Sequence, residues 1–182
     1  MNDPLYYLAR ADRTSSDGRQ IKGPLNPDGS YSKHTWAFST GVEIREIPSP
    51  LCFAESKVGK QSDFAFTAFA AVLVNATVSE IVTRQRFDVQ LIPCQIDDET
   101  SNFVLNPIHC IDCIDRNRSI GEYNGDGSVK IMLDLKISGT SPEFDIFRLK
   151  GWETAGFVVS ERVFRSFSTR QLTGVEFVPV TA

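Results

Sequence analysis

Phe157-Val-Val-Ser-Glu-Arg-Val163, followed by Arg170-Gln171 and Val175-Glu-Phe-Val-Pro179, echoes an earlier run of the same chain: Val72-Leu-Val-Asn-Ala-Thr-Val78, Arg84-Gln85 and Val89-Gln-Leu-Ile-Pro93. The offset is 85 residues from Asn75 to Ser160 and 86 from Pro93 to Pro179, so the second copy carries one extra residue. Each copy reads as an apolar stretch, a polar cap, an amphipathic helix and a short strand stopped by proline. Asn75 and Ser160 occupy the same place, and both side chains accept an unpaired helix N–H well. Behind the caps, Val74, Val78, Ile81 and Val82 in one copy and Val159, Val163, Phe164 and Phe167 in the other recur at helical spacing. Glu161 lies in the first turn of the second helix, where the positive end of the helix favours a carboxylate. The first copy lacks that feature and is expected to form the weaker helix. Helix-then-strand units are common and resemble one another by chance, but the shared cap, Arg-Gln pair and terminal proline argue for duplication. Two copies are too few for a solenoid, which needs at least about three repeats. The expectation is a pseudo-duplicated layer inside one domain.

Outward from these units, strand patterns predominate. Residues 4–9 read as a first strand. Residues 10–35 are polar and rich in turn formers (Ser15-Ser-Asp-Gly18, Gly23-Pro24, Asn26-Pro-Asp-Gly29) and read as a long loop. Trp36 to Ser39 and Val42 to Ile47 alternate like a strand with one exposed face, ended by Pro48-Ser-Pro50. Asp97-Asp-Glu-Thr-Ser-Asn102 is an acidic turn, Phe103 to Ile114 is β-like, and Asn124-Gly-Asp-Gly127 is a turn. Val129-Lys-Ile-Met-Leu-Asp-Leu-Lys-Ile137 is the clearest strand, placing Val129, Ile131, Leu133, Leu135 and Ile137 on one face. Ile146 to Leu149 is a short strand leading into Gly151-Trp152. The fold class is therefore α+β: a single domain over 1–182 with a mainly antiparallel or mixed sheet and two helices from the duplicated strand–helix–strand unit. Residues 1–59 form a variable N-terminal part and 60–182 the core. No Gly-rich turn joins a strand to a helix, so a doubly wound nucleotide fold is not expected.

With 182 residues, 41% apolar and 23% charged, the chain is long enough for one good core and has ordinary globular usage. A net charge of −4 and a pI near 5.2 disfavour nucleic acid as a partner and suit a basic one. No basic start leads into an apolar run, and the longest apolar run, Phe64 to Val74, falls short of the roughly 20 residues of a membrane span. Four cysteines without a signal sequence point to free thiols in a reducing compartment, so a cytoplasmic location is expected.

His109-Cys110-Ile-Asp112-Cys113 is the cluster closest to a metal or catalytic site. A CxxC beside a histidine is half a zinc site, since thiolate and imidazole are preferred ligands. Cys52 and Cys94 form no second CxxC, and His34 lies in the polar loop. If 108–114 is a regular strand, Cys110 and Cys113 point to opposite faces, which defeats a shared metal. No metal or cofactor is expected, and small buried thiols are the favoured reading. Asp112, Asp115, Arg116 and Arg118 form a charged knot, read either as a binding surface or as a turn whose aspartates cap backbone groups. Neither histidine stands in a recognised nucleophile motif, and no catalytic residue is assigned.

Asn102-Phe-Val-Leu-Asn106 and Cys110-Ile-Asp-Cys-Ile-Asp115 with Arg118-Ser119 resemble the middle motif of a bacterial family first catalogued as a domain of unknown function. That family is regarded as immunity proteins of polymorphic toxin systems, with many myxobacterial members. Ile146-Phe-Arg-Leu-Lys-Gly-Trp152, Val158-Val-Ser-Glu-Arg-Val163 and Leu172-Thr-Gly-Val-Glu-Phe-Val-Pro179 are similar to its C-terminal motif, and the resemblance spans about residues 60–180. It implies a non-enzymatic protein that binds and neutralises a cognate toxin domain. The residues expected at the partner surface are Asp97, Asp98, Glu99, Asp112, Asp115 and Arg118, together with the 10–35 loop. Two rival readings remain: a small metal-binding or hydrolytic protein using His109, Cys110, Asp112 and Cys113, and a self-associating module. The oligomeric state is not legible in the sequence.

Overall fold

The computed structural model describes residues 6–12, 14, 18–26, 28–33, 35–47, 51–138 and 143–180. Two mixed sheets carry the α+β fold. One has five strands in the order β13 (Val175–Val180), β1 (Tyr6–Ala11), β12 (Phe157–Ser160), β11 (Ile146–Leu149), β8 (Cys110–Ile111). The other has six: β2 (Gln20–Leu25), β3 (Leu51–Lys57), β6 (Val89–Ile96), β7 (Glu99–Pro107), β5 (Val72–Asn75), β4 (Phe64–Phe66). β9 (Ile120–Tyr123) and β10 (Val129–Asp134) form a separate hairpin. The helices are α1 (Ala76–Gln85) and α2 (Glu161–Ser168).

The two sheets contain the same four-strand unit. In one, β4, β5, β7 and β6 are neighbours; in the other, β11, β12, β1 and β13 are, with every pairing antiparallel. The registers match residue for residue. Val72 pairs with Leu105, which pairs with Leu91; Phe157 pairs with Ala9, which pairs with Phe177. At the other end, Asn75–Asn102–Cys94 answers Ser160–Tyr6–Val180. Each unit runs strand, cap, helix, strand. The third strand is the difference: β7 follows β6 directly, whereas its counterpart β1 comes from the start of the chain. The duplication is thus complete in space and permuted in sequence.

Both caps form. Asn75 Oδ1 accepts from the Val78 N–H at 3.1 Å and Ser160 Oγ from the Val163 N–H at 3.4 Å. The helices bury Val78 and Val82, and Val163 and Phe167, in one cluster with the facing residues of both sheets, among them Tyr7, Phe64, Val74, Leu105, Phe157 and Val159. Strand alternation sends the remaining apolar side chains to the opposite faces. The back of the five-stranded sheet, with Tyr6, Leu8, Phe147 and Val158, is covered by Cys113, Ile114, Leu135 and Ile137. The back of the six-stranded sheet, with Leu73, Ile92 and Val104, is covered by Phe38, Ile44 and Ile47.

Four sequence expectations are corrected. Pro93 and Pro179 lie inside β6 and β13 rather than ending them. β3 pairs with β6 only from Cys94 onward and β13 is an edge strand, so each proline sits where one side of its strand is unpaired, the kind of position at which a sheet tolerates proline. The stretch 36–47 is not a strand: Ala37–Ser39 is a 3₁₀ turn, and residues 42–47 form no ladder. Side chains of the sheet beneath serve its backbone instead, since Gln90 bonds both the N–H and the C=O of Ile44 (3.0 and 2.8 Å) and Asn106 donates to Val42 O (2.9 Å). The polar stretch 10–35 contains β2, an edge of the six-stranded sheet; residues 13, 15–17, 27 and 34, His34 among them, lie outside the described residues. Finally, Val129 to Ile137 does not present one buried face. The ladder is irregular between Val129 and Ile131 and between Met132 and Asp134, so Leu135 and Ile137 reach the core while Ile131 and Leu133 stay exposed.

Candidate functional site

The seam between the two halves opens beside the N-terminus of α1. Asp97 and Asp98 make the β6–β7 turn, with Asp97 in a left-handed conformation (φ 48°). Its carboxylate accepts the Glu55 N–H at 3.0 Å. Glu99, first residue of β7, accepts from Arg19 Nη1 (3.1 and 3.2 Å), Gln61 Nε2 (2.5 Å) and Asn102 Nδ2 (3.4 Å). The Arg19 side chain is only 5% exposed; it also lies 3.7 Å from Glu55, and its Nε has no partner. Arg19, Gln61, Glu99 and Asn102, with Asp63, Asn75 and Thr77, line a cleft of about 560 Å³. A second cleft of about 550 Å³ shares Arg19, Gln61, Ser62 and Thr173 with it and adds Lys57 and Lys60. Within the acidic rim, Asp97 and Asp98 are both exposed and Glu99 is half-buried; the carboxylates of Asp97 and Glu99 are engaged as structural acceptors, and that of Asp98 makes no hydrogen bond among the described residues.

Asp63 fastens this seam. Its carboxylate accepts from Asn75 Nδ2 (2.8 Å), the Thr173 N–H (2.7 Å) and Thr173 Oγ1 (2.8 Å), so the cap of α1 is tied to the loop after α2. Burial pushes the Asp63 carboxyl up, and these hydrogen bonds more than offset it, leaving it below the usual range. Asp145 is its counterpart in the other half. It accepts from Ser160 Oγ (2.6 Å) and pairs with Arg162, whose guanidinium lies 4.7 Å above the Phe87 ring. That guanidinium is the main cause holding the Asp145 carboxyl low.

The second expected group lies elsewhere, over the back of the five-stranded sheet, and among the described residues no hydrogen bond or ion pair joins it to the acidic rim. Asp115 closes a turn: its carboxylate accepts the Asn117 and Arg118 N–H groups (both 3.1 Å) and Arg118 Nε (2.6 Å). Arg118 Nη2 donates onward to Ile137 O at 2.9 Å. Asp112 pairs with Arg116 at 3.3 Å on the surface. The charged knot thus acts as a turn lock whose hydrogen bonds are internal.

In the cysteine-histidine cluster, His109 bonds the Asp88 carboxylate and stacks on Phe144 with ring centroids 3.8 Å apart. Cys110 Sγ lies 3.8 Å from Glu153 Oε1, and burial with that carboxylate raises its pKa. Cys113 is buried in the core behind the sheet, and burial pushes its thiol up to about 11. Among the described residues, no three His, Cys, Asp or Glu side chains converge as metal ligands.

Three residues that organise these regions carried little sequence signal. Arg19 and Asp63 look like surface charges in polar stretches, and only the fold brings them to the seam. Arg148 stands inside the apolar run Ile146 to Leu149, which is the clue that it is unusual. It is fully buried, and its guanidinium donates to Glu153 O (2.7 Å), Gly156 O (2.9 Å) and Ala70 O (2.8 Å). Burial pulls its pKa down to about 10, so it stays charged at neutral pH. Against known proteins, the chain matches no family model and no curated sequence. No helix among the described residues is long and apolar enough to cross a membrane.

Proposed function

We propose that this chain is an immunity protein that binds a toxin domain made in the same cell and blocks it by direct contact. The family resemblance of residues 60–180 motivates the reading. The observation that carries it is the use to which those motif residues are put: they build a scaffold. Ser160 caps α2, Arg148 ties β11 to the turn before β5, and Asp115 with Arg118 locks a loop. A rigid frame held from within leaves its surface free to vary, which is what an inhibitor of diverse toxins requires. The acidic β6–β7 turn, braced by Arg19 and presenting Asp98, is the face assigned to a basic toxin domain, because such a rim steers encounter electrostatically.

Co-expression with the toxin-like C-terminal domain encoded beside this gene is the direct test, scored by rescue of growth and by co-purification. An active toxin domain that is neither bound nor neutralised overturns the reading. The surface has its own test. Asp98→Lys is expected to slow association several-fold at low salt, with the difference shrinking as salt screens it. An on-rate equal to wild type at all salt concentrations removes the β6–β7 turn from the interface and leaves the immunity reading to the rescue experiment.

A further inference from the structure

Several apolar side chains that the fold leaves uncovered border one cleft of about 580 Å³, which runs between β10 and the segments that end β1 and enter β12. Ile131 and Leu133, 46% and 79% exposed, line it, as do half-buried Phe66, Met132 and Trp152. Its volume falls within the roughly 300–1,000 Å³ of small-molecule sites. The clefts at the acidic rim contain carboxylates, Asp63 and Glu99 in one and Asp12 in the other. Among the described residues, none lines this one.

The chain carries a net charge of −4, yet the charges around this cleft are positive. Arg10 and Lys130 border it, whereas the carboxylates they pair with at the surface, Glu176 (2.9 Å) and Glu122 (3.0 Å), do not. A third cation stands behind the wall. Arg148 is fully buried, and among the described residues its guanidinium bonds only carbonyls, two of them belonging to the lining residues Ala70 and Gly156. Glu153, a carboxylate that favours the charge on Arg148, is engaged by the Gly151 N–H (2.8 Å) and does not border the cleft. A buried charge ordinarily has a counterion, and in a low-dielectric wall an unmatched cation acts over several ångströms. Thr67 adds an unused donor: this lining residue is 8% exposed, and its hydroxyl has no hydrogen-bond partner among the described residues.

We propose that this cleft binds a small carboxylic acid with an aromatic body. Apolar walls with a few convergent polar groups are the make-up of a small-molecule site, and here the sign of those groups selects an anion. The carboxylate lies toward Arg10 and Lys130, whose present ion pairs are surface contacts worth little and easily exchanged. The rings of Phe66 and Trp152, with the Met132 side chain, receive the aromatic body. The cleft shares no residue with the acidic β6–β7 turn, and the proposal does not rest on the toxin-binding reading.

NMR titration of the nitrogen-labelled protein with hydrocinnamate, and with its neutral amide hydrocinnamamide, tests the proposal. The chain has two tryptophans, so the Trp152 indole N–H reports on the cleft and that of Trp36, which does not border it, is the control. Hydrocinnamate is expected to shift the Trp152 signal and leave that of Trp36 in place, with a Kd of about 1 mM, the affinity that a ligand of this size reaches at modest efficiency. Loss of the charge-assisted contacts is expected to make the amide bind about tenfold more weakly. Lys130→Glu and Arg10→Gln are each expected to weaken the acid by a similar factor and to leave the amide unchanged. Both side chains are partly exposed, so an unchanged thermal midpoint shows that the variants fold. A Trp152 signal that stays in place at about 10 mM acid overturns the proposal. Equal shifts of both indole signals overturn it as non-specific adsorption. Equal binding of acid and amide, or indifference to both substitutions, also overturns it, by removing the charge match that selects the ligand.

Discussion

Arg148 illustrates how one side chain can tie two layers together. It stands on β11 of the five-stranded sheet, yet one of its hydrogen bonds reaches Ala70, in the turn that leads into β5 of the six-stranded sheet. Three carbonyls depend on its guanidinium. Arg148→Met keeps much of the volume but strands those acceptors, and each buried unsatisfied group costs about 1–3 kcal/mol. The variant is expected to lose about 3 kcal/mol in urea unfolding, a large share of a typical domain's stability. A loss below about 1 kcal/mol would show that water or backbone shifts serve the carbonyls instead. Backbone conformation has a comparable effect at the acidic rim. Asp97, Asp98 and Glu99 are adjacent and chemically alike, but the turn engages two of their carboxylates in hydrogen bonds and leaves that of Asp98 without one among the described residues.

At the scale of elements, each helix begins with the same device: a cap side chain, itself held by an aspartate from the preceding strand's neighbour. Asp63 holds Asn75, and Asp145 holds Ser160. The other partners of the two aspartates differ. Asp63 completes its shell with Thr173, whereas Asp145 takes Arg162, the residue that answers Thr77 in the first copy. Both carboxyls sit below their ordinary range in the folded protein. A depressed folded pKa contributes stability above the unfolded value of about 3.9, and that contribution is lost as pH falls through the folded pKa. Wild type is therefore expected to weaken between pH 5 and pH 3, roughly the window around that unfolded value. Asp63→Asn with Asp145→Asn should start weaker at the upper end and fall less steeply. Parallel slopes for the two proteins would mean that other carboxylates carry the acid sensitivity. Close packing adds a second restraint at the entry to β12. Gly156 has φ +125° and abuts the Ala9 carbonyl, so any Cβ there collides with the backbone of β1.

For the whole molecule, the central fact is the permuted strand. β1 lies between β12 and β13 as β7 lies between β5 and β6, so the second half is incomplete without the start of the chain. Removing residues through Ala11 is expected to expose two unpaired edges and the first core cluster, giving an aggregation-prone protein. A synthetic peptide covering Tyr6–Ala11 added in trans should restore the native circular dichroism and solubility. Independent folding of the truncated chain would show that β12 and β13 can close without it. By itself the sequence determined the local pieces: two capped amphipathic helices, the strands that flank them, the hairpin turn at Asn124 to Gly127, and the one-residue offset. Those signals are local because capping and periodicity act over a few residues. The sequence also placed Asp97 and Asp98 on a turn, but it carried that turn on to Asn102, where Glu99–Pro107 is strand β7, and it did not say which carboxylates would be engaged by hydrogen bonds. The tertiary structure alone decided that β1 completes the second unit, that residues 36–47 cover a sheet without joining it, and that Arg19 and Asp63 meet at the seam. It also decided that half the apolar face of Val129 to Ile137 stays outside. Each of these depends on which distant backbone supplies a hydrogen-bond partner or a covering side chain, and that pairing is a property of the assembled layers.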